Sequence, residues 1–557
     1  MNPARSRGPR LGSLALVAVL LAAACADRNE GQPIPGDRLA FPLGIRALTA
    51  DDGGNLLAVV SSNFDQRYQT AQITLMDADQ LIDGVLEALA VPSPTADACA
   101  AAPLYVEDFD LGGRRVLLDR VRVPGGAGER AVVPGADGRP DRLYTADRFG
   151  SQLVLVERRD RTLSCAREGE EPVRNTDCTP SHTTLTEAED PFDLSVGELR
   201  DGRRYVGVGH LFPYRLGQLT AGQVTLLDEE ILAAKARGES VAAPEPCRTS
   251  RSGRYPDRFG ALVAPSGIPG PEGLVPPSRS ADESFCYGFR LDGSSGVGAL
   301  AHLPGGPPDR PSFVALTASR GTRFEAAAVE LDDVEAEVDV RLGSESSTVT
   351  ASVPATLIDA ISVHRVRLDL FTNATRGRGA VLLRDPGDPA GPARVLVSVQ
   401  FTLPRVGRSS GLGVLRRTED GFDTQAFLDL GEELGDVSVL PPERPGDPEL
   451  AFVGDGATDL LYVVDVTRDD PAVATVIDGR GPRTLIGDEE LDRRLLDGPA
   501  YVAFVRRGGR TFGFVTNFAN STLSVLELSS PQPSDYCVLA RLGRDSDANG
   551  ESERDRL

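Results

Sequence analysis

Hydrophobic and polar residues alternate along most of this chain with the period of two that is typical of β-strands. The alternation comes in pairs: one β-rich run ends in small or polar residues, a short turn follows, and a second run often closes on an acidic residue. Six copies are clear, at residues 56–77, 141–157, 205–228, 395–417, 450–465 and 512–528. Such pairs predict a series of antiparallel hairpins built by repetition.

Several copies are preceded by a third alternating run that starts at Pro or Gly and ends in a turn containing Gly. The clearest are FPLGIRALTADDGGN (residues 41–55), DPFDLSVGELRDGRR (190–204) and GPAYVAFVRRGGR (498–510). Three consecutive antiparallel strands, with a fourth supplied by the more variable run that follows, make a four-stranded propeller blade. Each blade buries its faces only by stacking on its neighbours, so the pattern predicts a closed ring.

Helical patterns are rare. DEEILAAKAR (residues 228–237) is the convincing short helix, and GVLEALAV, starting at Gly84, is a second candidate. Long insertions such as residues 234–279 are rich in Pro, Ser and Gly, and we expect them to be loops on a blade face.

Two stretches resemble blades of the YVTN-type β-propeller repeat family: the run from residue 498 to 528 and DRLYTADRFGSQLVLVE (141–157). Val515, Thr516 and Asn517 match the Val-Thr-Asn that ends one strand of the repeat, and residues 523–527 match the next strand. The resemblance implies an all-β propeller over residues 41–542. The copies are spaced by about seventy residues, against roughly 40 in the family. We favour seven blades, with residues 313–333 in the seventh; a six-bladed ring is the competitor.

The N-terminus predicts export. Three arginines precede the apolar run LGSLALVAVLLAAA, which is shorter than the ~20 residues of a membrane-spanning helix, so residues 1–24 are predicted to be a signal peptide. The three alanines before Cys25 resemble a bacterial lipobox, which implies that Cys25 is lipidated; an ordinary secretory signal is the alternative. Ala26 in place of aspartate implies the outer membrane, with a periplasmic or secreted protein as the alternative. Residues 25–40 are predicted to be a flexible tether.

The remaining cysteines are even in number, which suggests disulfides in an exported chain. Proximity favours Cys165 with Cys178 and Cys247 with Cys286, which leaves Cys99 to pair with Cys537. Zinc is disfavoured, because no C-x2-C pair occurs and the histidines are scattered.

The formal net charge of -23 and the pI near 4.7 oppose nucleic-acid binding, which depends on basic patches that neutralise phosphate. No nucleotide-binding loop and no nucleophile elbow is found. The tail, residues 543–557, is predicted to be acidic and disordered. It places Asp545, Asp547 and Asn549 as in a calcium loop, but Arg556 stands where a bidentate carboxylate is needed. We therefore expect no cofactor, with calcium as a weak candidate.

His210 ends a predicted strand, where a side chain could face the central funnel of a propeller and act as a base or metal ligand. One histidine forms neither a triad nor a metal site, so no catalytic residue is predicted. We expect a lipid-anchored propeller of the cell envelope that binds protein or glycan partners as a scaffold, as the resemblance implies. The alternative is a propeller enzyme of the lactonase or lyase type with a polar funnel that can hold a metal.

Overall fold

The computed structural model describes residues 34, 38–62, 70–91, 97–107, 109–135, 139–148, 152–166, 177–184, 191–198, 204–210, 222–239, 286–291, 296–303, 312–318, 325–344, 347–367, 375–383, 394–403, 407–418, 421–444, 447–468, 470–479, 484–486, 489–491 and 494–543. Leu39 and Ala40, placed by the sequence in the flexible tether, are already buried in the folded body.

Sheet 1 is four-stranded and antiparallel, in the order β1-β2-β3-β7. Its first strands are β1 (Pro42–Thr49), β2 (Asn55–Ser61) and β3 (Ala71–Asp77). A long connection follows before the chain returns to the sheet. It holds helix α1 (Ala78–Ala88), a 3-10 turn (Ala98–Ala100), β4 (Leu104–Val106), β5 (Asp110–Leu111) and β6 (Arg114–Arg115), and ends in β7 (Leu117–Val123). Helix α1 overlaps the predicted helical stretch, residues 84–91, but ends at Ala88 and starts earlier than Gly84, because Asp77 caps it by accepting from Gln80 N.

Sheets 2 and 3 repeat this arrangement. Sheet 2 holds β8 (Ala127–Val133), β9 (Asp141–Asp147), β10 (Gln152–Arg159), β11 (Thr162–Cys165) and β12 (His182–Thr184). Sheet 3 holds β13 (Pro191–Glu198), β14 (Arg204–His210), β15 (Gly222–Asp228) and β16 (Cys286–Leu291), with helix α2 (Glu229–Ala236) directly after β15. Both described helices therefore follow the third strand of a sheet.

Sheet 4 has eight strands. They are β17 (Gly296–Leu303), β18 (Ser312–Ala318), β19 (Glu325–Ser344), β20 (Ser347–Arg367), β21 (Thr375–Leu383), β22 (Arg394–Leu403), β23 (Gly407–Thr418) and β24 (Gly421–Asp429). Its two halves are joined through one residue pair, Ala318 with Arg376. Each half starts with a strand, β17 or β21, that occupies the place of a blade's first strand.

Sheets 5 and 6 complete the chain. Sheet 5 holds β25 (Leu434–Leu440), β26 (Leu450–Asp455), β27 (Leu460–Asp465) and β28 (Ala472–Asp478), and a small hairpin of β29 (Thr484–Ile486) and β30 (Glu489–Leu491) follows. Sheet 6 holds β31 (Pro499–Arg507), β32 (Arg510–Asn517), β33 (Thr522–Glu527) and β34 (Cys537–Leu542), and β4 joins it parallel to β34.

The first strands of these units contact one another in the order β1, β8, β13, β17, β21, β25, β31 and back to β1. This ring confirms the predicted all-β propeller of antiparallel, mainly four-stranded sheets. The predicted hairpins are confirmed as the second and third strands of their units, as in β9–β10 and β32–β33. Because two of the units share sheet 4, the blade count of seven stays a prediction.

The core lies between neighbouring sheets. Ile45 and Leu57 of sheet 1 pack in one cluster with Val505 and Phe514 of sheet 6. A second cluster joins sheets 5 and 6 and includes Phe452. Removal of both faces of a sheet from water requires a neighbour on each side, which is why the sheets stack radially.

At the seam between the two ends of the ring, β1 opens sheet 1 and β34 is a late strand of sheet 6, so the two chain ends do not share a blade. The connection between β3 and β7 closes the seam instead, since it adds β4 to sheet 6 and holds the disulfide between Cys99 and Cys537. The connection between β3 and β7 therefore closes the ring, and no blade is built from both chain ends.

Candidate functional site

A cleft of about 390 Å³ lies between sheets 5 and 6, at the ends of β25 and β31. One wall is the loop from β25 to β26, whose described residues read PPER and then DP. The other wall is the turn from β31 to β32 together with the connection from β33 to β34. Proline donates no backbone hydrogen bond and has a fixed φ, so Pro441, Pro442 and Pro448 restrict the described part of this wall and do not extend the sheet.

The opposite wall is narrow because β31 and β32 are joined by two residues only. Gly508 and Gly509 have φ of 58° and 77° between the paired residues Arg507 and Arg510. Two positive φ angles define the tight hairpin turn whose twist matches that of the strands, and glycine adopts them without strain.

The floor of the cleft is apolar. Leu450 and Leu528 are buried there, and Leu440 and Tyr536 pack against the same core cluster. The Tyr536 ring stacks on Phe452 with centroids 6.3 Å apart and an interplanar angle of 16°. The aromatic surface offered to the cleft is therefore held rigidly from behind.

The rim is polar and charged. Glu443 Oε1 accepts a hydrogen bond from Thr511 Oγ1 at 3.0 Å and lies 3.3 Å from Arg506 Nε. Arg506 Nη2 also donates to the Pro441 carbonyl oxygen at 2.9 Å, which ties the two walls together. Asp447 Oδ2 accepts from the backbone N–H of Arg444 at 2.9 Å. The exposed Arg444 guanidinium shows no partner among the described residues.

Tyr536 supplies a hydrogen-bond donor to the cleft. Burial, and after it the charge of Glu443, raises the pKa of the Tyr536 hydroxyl to about 12. The hydroxyl therefore stays protonated at neutral pH, and it shows no hydrogen bond to another described residue. It can donate a hydrogen bond to a ligand, but it is not a nucleophile.

The polar residues that recur at the ends of second strands have a structural role. Asp455 ends β26 and is fully buried; its Oδ1 accepts from the N–H groups of Glu433 and Ala457, and its Oδ2 from Glu432 N and Thr458 Oγ1. These bonds fix the loop that enters the same sheet. The repeated Asp or Asn is therefore explained by buried backbone groups that need partners.

Asn517 holds the matching place at the end of β32 and is also fully buried. Its Oδ1 accepts from Asp497 N at 3.4 Å, and its Nδ2 donates to Thr522 Oγ1 and Ser524 Oγ at 3.0 and 2.8 Å. The Asn520-Ser521-Thr522 glycosylation pattern lies in the following turn, where Asn520 is 2% exposed, so a glycan has no access to it.

Ion pairs anchor both described helices to a neighbouring sheet, a buried pair under α2 and partly exposed pairs under α1. Under α2, Glu229 is 1% exposed, accepts from Tyr144 Oη at 2.6 Å and pairs with Arg142 Nη1 at 2.6 Å. Burial, and after it the charge of Glu229, raises the pKa of Tyr144 well above its usual value. Under α1, Arg507 of sheet 6 pairs with Asp79 and Asp83 at 2.9 and 2.7 Å. These charged side chains therefore hold the helices against the sheets.

The predicted funnel residue His210 ends β14, as expected, and is fully buried. His364 lies in β20, where its backbone pairs with Ala328. A histidine that sequence analysis did not single out, His302, lies on the first strand β17, half-buried, with Nδ1 3.0 Å from Tyr205 Oη. Its backbone N–H donates to Ser195 Oγ of β13 at 2.9 Å.

Two of the three predicted disulfides are present: Cys165 with Cys178, which proximity favoured, and Cys99 with Cys537, the pair that remained. The third involves Cys247, which lies outside the described residues, as do the signal peptide, Cys25 and the candidate calcium ligands Asp545, Asp547 and Asn549. In the described part of the chain, no group of three or more metal-ligating side chains is arranged to hold an ion.

Sequence reasoning missed the cleft and its residues Glu443, Arg444, Arg506 and Tyr536. The signal that could have found it is the proline-rich loop directly after a predicted strand. In the part of the chain described above, no helix combines the length and the hydrophobicity needed to cross a bilayer.

No family model matches the chain, and no curated protein matches it. Among solved structures, the chain is similar to a proposed 6-phosphogluconolactonase from Bacteroides uniformis, with 11% identity, 76% of this chain and 80% of that chain covered, and a TM-score of 0.32. A second protein of that description, from Bacteroides fragilis, gives 10% identity, 77% and 80% coverage and a TM-score of 0.34.

A functionally unknown protein from Desulfotomaculum acetoxidans gives 11% identity, a TM-score of 0.26 and coverage of 46% of this chain and 59% of that chain. Overlaps at these TM-scores carry no argument about activity. The YVTN-type resemblance stays a prediction.

Proposed function

We propose that this protein is an exported β-propeller whose work is binding, and that the cleft between sheets 5 and 6 is its binding site. The observation that carries the proposal is the combination of an apolar, aromatic floor with a polar rim around about 390 Å³. Ligand sites of proteins are concave, have volumes of roughly 300–1,000 Å³ and place polar groups beside apolar and aromatic side chains, and this cleft agrees in size and in that combination.

The two disulfides support an extracytoplasmic location, since disulfides persist in oxidising compartments. We also propose a lipid anchor at Cys25 and a location at the outer membrane. A rigid disk held near a membrane by a tether suits the capture of a protein or glycan of the cell envelope.

The test is capture of partners from detergent-solubilised envelope by the full chain. Ser530→Trp places a bulky ring at the cleft, where Ser530 is one of the lining residues. Ala472→Trp, on the exposed edge strand β28, is the matched control. We expect wild type and Ala472→Trp to retain the same partner and Ser530→Trp to lose it. Equal capture by all three would refute the cleft as the site.

A second candidate function, catalysis of the lactonase or lyase type, has one observation in its favour. His302 and Ser195 lie on neighbouring first strands, where the propeller axis is nearest. Burial raises the pKa of Tyr205, so its hydroxyl stays protonated and can donate to His302 Nδ1. An imidazole that accepts at Nδ1 carries its proton on Nε2, and this tautomer can polarise a carbonyl oxygen.

Hydrolysis of a panel of sugar lactones tests this candidate. We expect turnover that falls at least tenfold in His302→Gln, with an unchanged thermal midpoint. Absence of turnover on every lactone leaves binding as the function.

A further inference from the structure

We propose that the cleft between sheets 5 and 6 takes a proline-rich segment of a partner protein in the extended polyproline II conformation. The inference rests on the proposed binding function and specifies its ligand. Polyproline II segments dock onto grooves lined by aromatic side chains, and Tyr536 is the aromatic residue that lines this cleft.

Two side-chain donors of the cleft are available to a ligand that accepts hydrogen bonds. The Tyr536 hydroxyl and the Arg444 guanidinium are donors without a partner among the described residues. The carboxylate oxygens Glu443 Oε1 and Asp447 Oδ2 already accept from Thr511 and Arg444 N. Proline has a carbonyl oxygen but no backbone N–H, so a run of prolines supplies acceptors and brings no donor that would need a partner.

Local charge also disfavours an anionic ligand. Arg444 and Arg506 at the rim are balanced by Glu443 and Asp447, within a chain of formal net charge -23. An anionic ligand would be repelled by both rim carboxylates and by the net negative charge of the whole protein. A backbone carbonyl takes a hydrogen bond from Tyr536 or Arg444 without that repulsion.

The shape and stiffness of the walls fit a rigid extended ligand. Four prolines line the cleft, at positions 441, 442, 448 and 531, and Phe452 holds the Tyr536 ring in place. One turn of polyproline II has three residues and spans roughly 9 Å, and its conformation is largely formed before binding. Little conformational entropy is then lost on either side.

The experiment measures fluorescence anisotropy of an end-blocked, labelled decaproline peptide with the full chain. A Gly-Ser decapeptide of the same length and label is the peptide control. We expect decaproline to bind and Gly-Ser not to bind. Tyr536→Phe keeps the ring and removes the donor, so it should weaken binding by about 5- to 10-fold, the effect of one hydrogen bond. Arg468→Gln, on an exposed loop outside the cleft, should change nothing.

Equal binding of the two peptides, or decaproline affinity unchanged in Tyr536→Phe, overturns the proposal. The wild-type chain could fail to bind decaproline and still capture an envelope partner, with that capture abolished by Ser530→Trp. This result would mean that the cleft binds another class of ligand. Failure of both the peptide and the capture experiment overturns the binding function as well.

Discussion

Cys99 and Cys537 are joined by a disulfide that links two positions 438 residues apart. Cys99 belongs to the insertion of sheet 1, and Cys537 starts the outer antiparallel strand of sheet 6. Beside it β4 pairs with β34, and Phe41 N donates to Ser521 Oγ across the same seam at 3.1 Å. The ring is therefore closed by a covalent bond, an added strand and side-chain contacts, with no blade shared between the two chain ends.

Removal of this disulfide is predicted to destabilise the ring more than removal of the other one. In the chain-entropy model the stabilisation grows with loop length, and Cys165 with Cys178 closes only 13 residues. We expect Cys99→Ser with Cys537→Ser to lower the free energy of unfolding by about 3–5 kcal/mol, and Cys165→Ser with Cys178→Ser by about 2–3 kcal/mol. Urea denaturation of both double variants measures the difference. A larger loss in the second pair would contradict closure of the seam by the first.

Asp455→Asn is predicted to destabilise the protein although it conserves the shape of the side chain. Both carboxylate oxygens of Asp455 accept backbone hydrogen bonds, so an amide nitrogen would face at least one N–H in either orientation. We expect a loss of about 1–3 kcal/mol in the free energy of unfolding. Asp465→Asn is the control, because the bond from Thr467 N can be kept by the amide oxygen. Equal stability of the two variants would argue against this role.

Gly454→Ala is predicted to force sheets 5 and 6 apart. A Cβ at Gly454 would lie 2.1 Å from the Pro499 carbonyl oxygen of β31, a backbone atom that cannot move alone. We expect a loss of about 1–3 kcal/mol. Gly456→Ala, two residues later, meets nothing closer than 3.9 Å and should stay within about 0.5 kcal/mol of wild type. Thermal unfolding gives the midpoint of each variant. A midpoint in Gly454→Ala equal to that of wild type would refute the close approach of Gly454 to the Pro499 carbonyl oxygen.

The ionisation of Tyr536 is predicted to lower stability at alkaline pH. Because its folded pKa of about 12 lies above the unfolded value of 10.0, the contribution is complete below about pH 10 and is lost as the pH rises through about 12. A difference titration of phenolate absorbance between wild type and Tyr536→Phe isolates this one group. A midpoint near 10 in that difference would show that the ring is not desolvated in the cleft.

The sequence by itself determined the strands and their pairing. In β9–β10 and β32–β33 the alternation of side chains, the turn between the runs and the polar end of the second strand are all local, so the hairpins can be read from the chain. Nearness in sequence also pointed to Cys165 with Cys178. The start of α1 was misplaced because its cap, Asp77, also ends a strand.

Only the tertiary structure decided the seam and the cleft. Glu443 and Tyr536 lie in two separate connections and Arg506 lies near the end of β31, and they meet because sheets 5 and 6 stack to hide Phe452 and Val515 from water. Neighbouring residues encode the hairpin, whereas the contacts between hairpins follow from burial of apolar faces around the ring, a condition that no single stretch of the chain contains.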